Sequence, residues 1–228
     1  RHHEILDLTR PEVQAFEWQV IDKTLRPNPD ISYVKWDCNR YITQPGSGYL
    51  QPAEQSHLWI DYNWALYRLM ERFSKEFPNV MAMLCAGGSG RVDYGALPYF
   101  HSFWPSDNTD PLGRIKIQWG FSHFFPASTI SAHVTRMGKR HLKLAIDVAL
   151  SGAFGIDLAL DKATAEERVQ IADAVKLYKA SIRPLVMQGE LYRLVSPYEH
   201  PMASLSYVST DKNDAVVYLY QIQDGSVP

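Results

Sequence analysis

The chain has 228 residues, 46% hydrophobic and 21% charged, and a formal net charge of −2, the profile of a folded globular protein. The near-neutral balance, with no basic run, argues against nucleic acid as a partner. No stretch approaches the roughly 18 consecutive apolar residues of a membrane span, and the two cysteines, Cys38 and Cys85, are too few for a disulfide framework.

A strand-helix alternation runs through most of the chain. "EILDL" reads as a short strand ending at Leu8. "TRPEVQAFEWQVIDKTLRP" opens a helix with a capping box of Thr9 and Glu12. Its apolar stripe is Val13, Phe16, Val20 and Leu25, and Pro27 ends it. "ISYVKWD" is a strand of buried character that nevertheless carries Lys35 and Asp37, with Asn39 next on the same face. "SHLWIDYNWALYRLMERFSKEF" is a long amphipathic helix closed by Pro78, on which Trp59 and Trp64 are expected in the core. "VMAMLCAGG" is a continuous apolar strand of the kind covered on both faces.

"SFWPSD" reads as a fourth strand, followed by the helix "PLGRIKIQWGFSHFF". "STISAHVT", "RHLKLAIDVALSG" and "AFGIDLAL" continue as strand, helix and strand. The last helix starts at Thr164, with Glu167 three residues on, and carries Ile171, Val175, Tyr178 and Ile182. "SLSYVST-DKND-AVVYLYQI" then changes the pattern to an antiparallel hairpin. The chain opens at "RHHEILDL" without an initiator methionine and stops after that hairpin, so it is expected to be a piece of a longer protein.

Repeated βα units imply a parallel sheet, doubly wound or closed as a (β/α)₈ barrel. Polar residues gather at the C-terminal ends of the strands: Asp37, Cys85 with its glycines, Asp107, His133 and Asp157. A site drawn from so many strand ends favours the α/β TIM barrel, here partial, with about its last six units. The expected division is residues 1–188 for the C-terminal part of the barrel and 189–228 for the start of a C-terminal antiparallel β-sandwich.

Two carboxylates carry the chemistry. Asp37 and Asp107 end strands two units apart, and paired carboxylates suit glycosidic bond cleavage, one attacking the sugar and the other protonating the leaving oxygen. The roles demand different settings. Lys35 gives Asp37 a positive neighbour, whereas Trp104 and Pro105 give Asp107 an apolar approach. Spacing alone leaves a structural role equally open, with the aspartates capping helices or pairing with Lys35, Arg40 and Arg114. "CAGGSGR" has the glycines of a phosphate loop but no Gly-Lys-Ser/Thr follows. The eight histidines form no metal-ligand pair. A structural hydrogen-bonding role is expected for His133, a backbone contact for Asp157, packing for Cys38, and supporting roles for Asp110 and Arg91.

"YVKWDCNR", "CAGGSGRVDYGAL" and "FWPSDNTD" together resemble the K-W-D-x-N-R, C-S-G-G-G-G-R and W-x-S-D-N-T-D blocks of glycoside hydrolase family 36, the microbial α-galactosidases. The resemblance covers nearly the whole chain. It implies a retaining enzyme that releases terminal α-galactose from oligosaccharides such as raffinose or melibiose, with Asp37 as nucleophile and Asp107 as general acid/base. It also implies galactose contacts from Lys35, Cys85, Gly88 and Trp104. Arg1 matches an arginine that binds the sugar, although "RHH" departs from the family pattern around it, and Ser89 stands where the family has glycine. The family's paired aspartates and tryptophan from an earlier strand have no counterpart here.

No metal or organic cofactor is implied. The implied partners are an α-galactoside and further copies of the full-length chain, up to a tetramer; nucleic acid and membrane are not expected. An α-N-acetylgalactosaminidase or a galactosyl transglycosylase would use the same two aspartates, and an inactive sugar-binding paralogue is the alternative outside catalysis. The compartment, cytoplasmic or periplasmic of a bacterium, stays open.

Overall fold

The structure, a computed structural model, describes residues 5–39, 43 and 45–223. It is an α/β fold whose chain forms two compact units, Arg1–Phe103 and Trp104–Pro228. Among the described residues no helix is long and apolar enough to cross a membrane.

The first unit is a parallel sheet under two helices. Helix α1 (Pro11–Leu25) begins on a proline, whose fixed φ suits a first turn. The expected capping box does not form, because both of its members are engaged elsewhere. Thr9 Oγ1 donates to Asp7 Oδ1 at 2.6 Å, while Arg10 Nε donates to Glu12 Oε1 at 2.8 Å. The buried stripe is also rotated from the expected one. Trp18 and Leu25 are buried, whereas Phe16 and Val20 are exposed. Trp18 faces helix α2 (Leu58–Glu76), with its ring 6.1 Å from Phe77 beyond that helix's end and Arg72 of α2 3.7 Å over it.

Strand β1 (Tyr33–Asp37) pairs parallel with β2 (Met81–Cys85), and β2 with the two-residue β3 (Ser102–Phe103). The central β2 is buried along Ala82–Cys85, as its continuous apolar run requires. β1 lies at the edge of this sheet and buries none of its residues, so it is not the buried strand expected. Lys35, Asp37 and Asn39 are exposed, alternating with half-buried Val34, Trp36 and Cys38. Helix α2 covers that second set: Phe73 meets Trp36 edge-on at 5.7 Å. Trp59 and Trp64 are exposed on α2 rather than in the core. Ile5 to Leu8 form no strand, and the strand expected over "SFWPSD" stops at Phe103.

In the second unit, α3 (Pro111–Phe121), β4 (Ser131–Val134), α4 (Leu142–Ala149), β5 (Ala153–Ile156) and α5 (Ala165–Leu177) follow the expected order. β4 and β5 pair in parallel. The Thr164–Glu167 capping box forms in both directions, at 2.9 and 3.1 Å. A π-helical turn (Tyr178–Ile182) leads into α6 (Arg183–Gln188). Pro184 in that helix lacks the N–H that a regular α-helix would bond to Ala180, which favours the wider turn.

An antiparallel sheet β6 (Glu190–Val195), β7 (Met202–Val208) and β8 (Ala215–Gln221) completes the unit. Its β7–β8 hairpin is the one expected; β6 is additional. Its inner face, Ala203, Leu205, Tyr207, Tyr218 and Tyr220, joins a core with Ile146, Ala149, Ile171, Ile182 and Val186. Three of these tyrosines reach the end of α4: the Tyr207, Tyr218 and Tyr220 hydroxyls donate to the carbonyls of Ser151, Leu150 and Asp147 at 2.7, 2.9 and 3.2 Å.

Candidate active site

Four of the expected residues come together at the C-terminal end of β1 and β2. Parallel register sets Asp37 beside Cys85 and Lys35 beside Met83, and the Cys38 N–H continues the ladder to the Cys85 carbonyl at 2.9 Å. The Cys85 side chain is buried. Burial pushes its thiol up; the Gly88 backbone hydrogen bond and the Lys35 charge oppose this, while the charge of Asp37 and a hydrogen bond to it add to it. Lys35, Asp37 and Gly88 thus all act on the Cys85 thiol.

After Cys85 the chain turns sharply through Gly87 (φ 59°) and Gly88 (φ 87°), closed by Ala86 N–H to Gly88 O at 2.8 Å. Two consecutive residues in the left-handed region require glycine in practice. Asn39, one step along the face of Lys35 and Asp37, accepts the Gly87 N–H at 2.8 Å. It ties the glycine turn to the strand that carries Asp37. Sequence reasoning set Asn39 in that row but gave it no role; the period-2 spacing was the available signal.

Cys38 lines a cavity of about 310 Å³ together with Glu17, Trp36, Tyr62 and Arg91 and with its chain neighbours Asp37 and Asn39. Burial pushes the Cys38 thiol up. Arg91 supports the strand end, with Nε 3.5 Å from the Cys38 carbonyl and its guanidinium 5.4 Å over Tyr62. Both cysteines are free. Arg1 and Arg40 lie outside the described residues.

Trp104 and Asp107 belong to the second unit, in an irregular segment before α3. Asp107 is exposed. Trp104 is buried and donates its indole Nε1–H to Asp107 Oδ1 at 3.0 Å. The expected apolar approach is thus a hydrogen-bond donor at the carboxylate. His133 meets the Trp104 ring edge-on at 4.7 Å from β4, an aromatic contact in addition to any hydrogen bonding. Asp157 is exposed, and its N–H donates to the Val134 carbonyl at 3.0 Å.

The rest of the segment is bound on several sides. Asn108 Oδ1 accepts the Asp110 N–H at 3.0 Å, a local turn typical of asparagine. Thr109 is buried, bonded through its hydroxyl to Thr135 at 2.8 Å and through its N–H to Met137 Sδ at 3.1 Å. Asp110 pairs with Arg140 at 3.3 Å. Gly138 (φ 73°) packs so closely on Asp110 that an added Cβ would fall 2.1 Å from its carboxylate.

Arg114, named from sequence as a possible partner of an aspartate, serves differently. It is 2% exposed, and its Nη1 and Nε donate to Ser106 O and Gln118 Oε1, each at 3.1 Å, with Nη2 donating to Ser131 O. Its guanidinium sits 5.1 Å over the Trp104 ring. Burial lowers its pKa to about 10. Among the described residues no group of three or more His, Cys, Asp or Glu side chains could hold a metal ion.

Residues 1–189 match the family model described as melibiase, and the chain belongs to that family, glycoside hydrolase family 36. It is 38% identical to Alpha-galactosidase AgaA of Geobacillus stearothermophilus, over 97% of this chain and 31% of that protein. With Alpha-galactosidase 1 of Pediococcus pentosaceus the identity is 34%, over 100% of this chain and 32% of the other. The chain thus spans about a third of the length of these relatives. The crystal structure of the Geobacillus stearothermophilus enzyme superposes with a TM-score of 0.92 at 37% identity, covering 98% of this chain and 32% of the other. Substituted forms of that enzyme have been solved with stachyose, one aspartate being replaced by alanine, and with raffinose, another aspartate being replaced by asparagine.

Proposed function

We propose that the protein carrying this chain is a retaining α-galactosidase that releases terminal α-galactose from raffinose-type oligosaccharides. Asp37 attacks the anomeric carbon while Asp107 protonates the leaving oxygen, and Asp107 then draws a proton from the water that hydrolyses the galactosyl-enzyme. Lys35, Cys85 and Gly88 contact the sugar beside the nucleophile, and Trp104 orients the acid/base through its indole N–H. Sugar recognition then falls to polar groups that a bound ligand completes, which accounts for the exposed Lys35–Asp37–Asn39 row. In this reading residues 1–188 contribute the C-terminal part of a (β/α)₈ barrel, residues 189–228 begin a C-terminal β-sandwich, and the full-length chain forms a homo-oligomer.

One observation carries the reading. The stretch matched to the family holds Asp37 and Asp107 at the same interval along the chain as the two aspartates substituted in the stachyose and raffinose complexes. The test is proton NMR of the sugar released from an aryl α-galactoside at early times. α-Galactose first, and none after Asp37→Asn or Asp107→Asn, is the expected result. β-Galactose first would mean inversion, a mechanism that needs carboxyl groups about 6.5–9.5 Å apart rather than about 5–5.5 Å.

A further inference from the structure

We infer that Arg114 is a positioning residue for Asp107, acting on it through two separate handles. The first handle is the backbone: Arg114 Nη1 holds the carbonyl of Ser106, the residue immediately before Asp107, at 3.1 Å. The second is the indole: the guanidinium lies 5.1 Å over Trp104, whose N–H reaches Asp107 Oδ1 at 3.0 Å. The inference rests on Asp107 being the acid/base proposed above.

Arg114 is suited to this by the way it is itself held. Its described hydrogen bonds all go to neutral oxygens, on Ser106, Gln118 and Ser131. Gln118 is fixed in turn by the Ser151 hydroxyl at 3.0 Å and the Val148 carbonyl at 3.3 Å. A buried guanidinium without carboxylate compensation is an expensive way to hold a loop; burial alone depresses its pKa. A planar fork that also stacks on an aromatic face can satisfy a carbonyl in the loop, one in β4 and the indole at once, which an ammonium cannot. The segment from Trp104 to Asp110 has no strand or helix of its own, so a rigid anchor beneath it sets where its carboxylate stands.

Leaving-group chemistry tests this. Protonation by Asp107 matters for a sugar leaving group and little for 2,4-dinitrophenolate, which departs unaided. In Arg114→Met, kcat/KM for melibiose is expected to fall about 10- to 100-fold while that for 2,4-dinitrophenyl α-galactoside stays within about threefold. Arg114→Lys should show the same dependence with a smaller loss, and Trp104→Phe, which keeps an aromatic face but replaces the indole and so drops the N–H, should show it too. If Arg114→Met does not accumulate as folded protein, those two variants decide the matter. Equal losses on both substrates would reduce Arg114 to a structural residue, and no loss would remove the role. An unsubstituted protein that cleaves neither substrate would overturn the galactosidase reading and this role together.

Discussion

The two aspartates are held in opposite ways. Asp37 ends a strand, and its place follows from main-chain register with Cys85 and from an asparagine that pins the neighbouring glycine turn. Asp107 stands in a segment without regular structure and is held by side chains: an indole, a buried arginine, a threonine pair and a methionine sulfur. A ladder resists change because many backbone bonds share the load. A loop clasped by single side chains is adjustable and easily broken.

The largest expected effect tests the strand-borne half. Phe73 is 2% exposed and carries the Trp36 ring on the inner side of β1. Phe73→Ala should cost about 3–5 kcal/mol in denaturant unfolding. A loss under about 1 kcal/mol would show that β1 does not depend on helix α2. A smaller effect tests the loop-borne half. Thr109→Val removes a buried hydroxyl bond and should cost only about 1 kcal/mol of stability. Its kcat on an unactivated galactoside should nevertheless fall several-fold, because the lost bond ties the Asp107 segment to Thr135. Unchanged kcat would mean that the remaining clasps suffice.

The smallest effect probes the loop-borne half by pH. Arg136, in the stretch that clasps Asp110 and Thr109, is gripped by Glu167 at 2.6 and 2.9 Å. The Arg136 side chain first, then the Thr164 N–H, holds the Glu167 carboxyl down at about 2, from an ordinary 4.5. A depressed carboxylate stabilises fully above its unfolded value, and that contribution disappears as pH falls through the folded one. The Tm gap between the protein and Glu167→Gln should therefore be constant above about pH 5 and close as pH drops from about 4.5 toward 2. A gap that does not change over that range would show the pair to be idle.

Legibility in the sequence followed whether local signals had competitors. Thr164 and Glu167 cap α5 as their spacing foretells, whereas the same spacing at Thr9 and Glu12 fails because Asp7 and Arg10 engage them first. Phe16 and Val20 have helical spacing, yet α1 turns Trp18 inward, against Phe77 and Arg72. β6 follows α6 after Gly189 alone, too short a break to separate "ELYRLV" from the helix before it. At the site, motif residues were visible because chemistry restricts their identity. Arg114 is legible as a charge, with an ion pair to an aspartate left open as one structural alternative, since nothing in a one-dimensional pattern tells a buried arginine's carbonyl partners from an ion pair. Asn39 was visible by face but not by function, because its partner is a backbone N–H 48 residues away.

The tyrosine hydroxyls at the foot of α4 bear on how the molecule can be shortened. Helices end with carbonyls that nothing within the helix satisfies, and here Asp147 and Leu150, with Ser151 just beyond, are answered by Tyr220, Tyr218 and Tyr207 of the hairpin. A chain cropped where helices give way to strands would strip those acceptors of their donors and uncover the apolar floor around Ile146 and Ala149. The hairpin acts as a keystone for the last helical turns, and an engineer trimming this protein to a minimal form would have to carry it along.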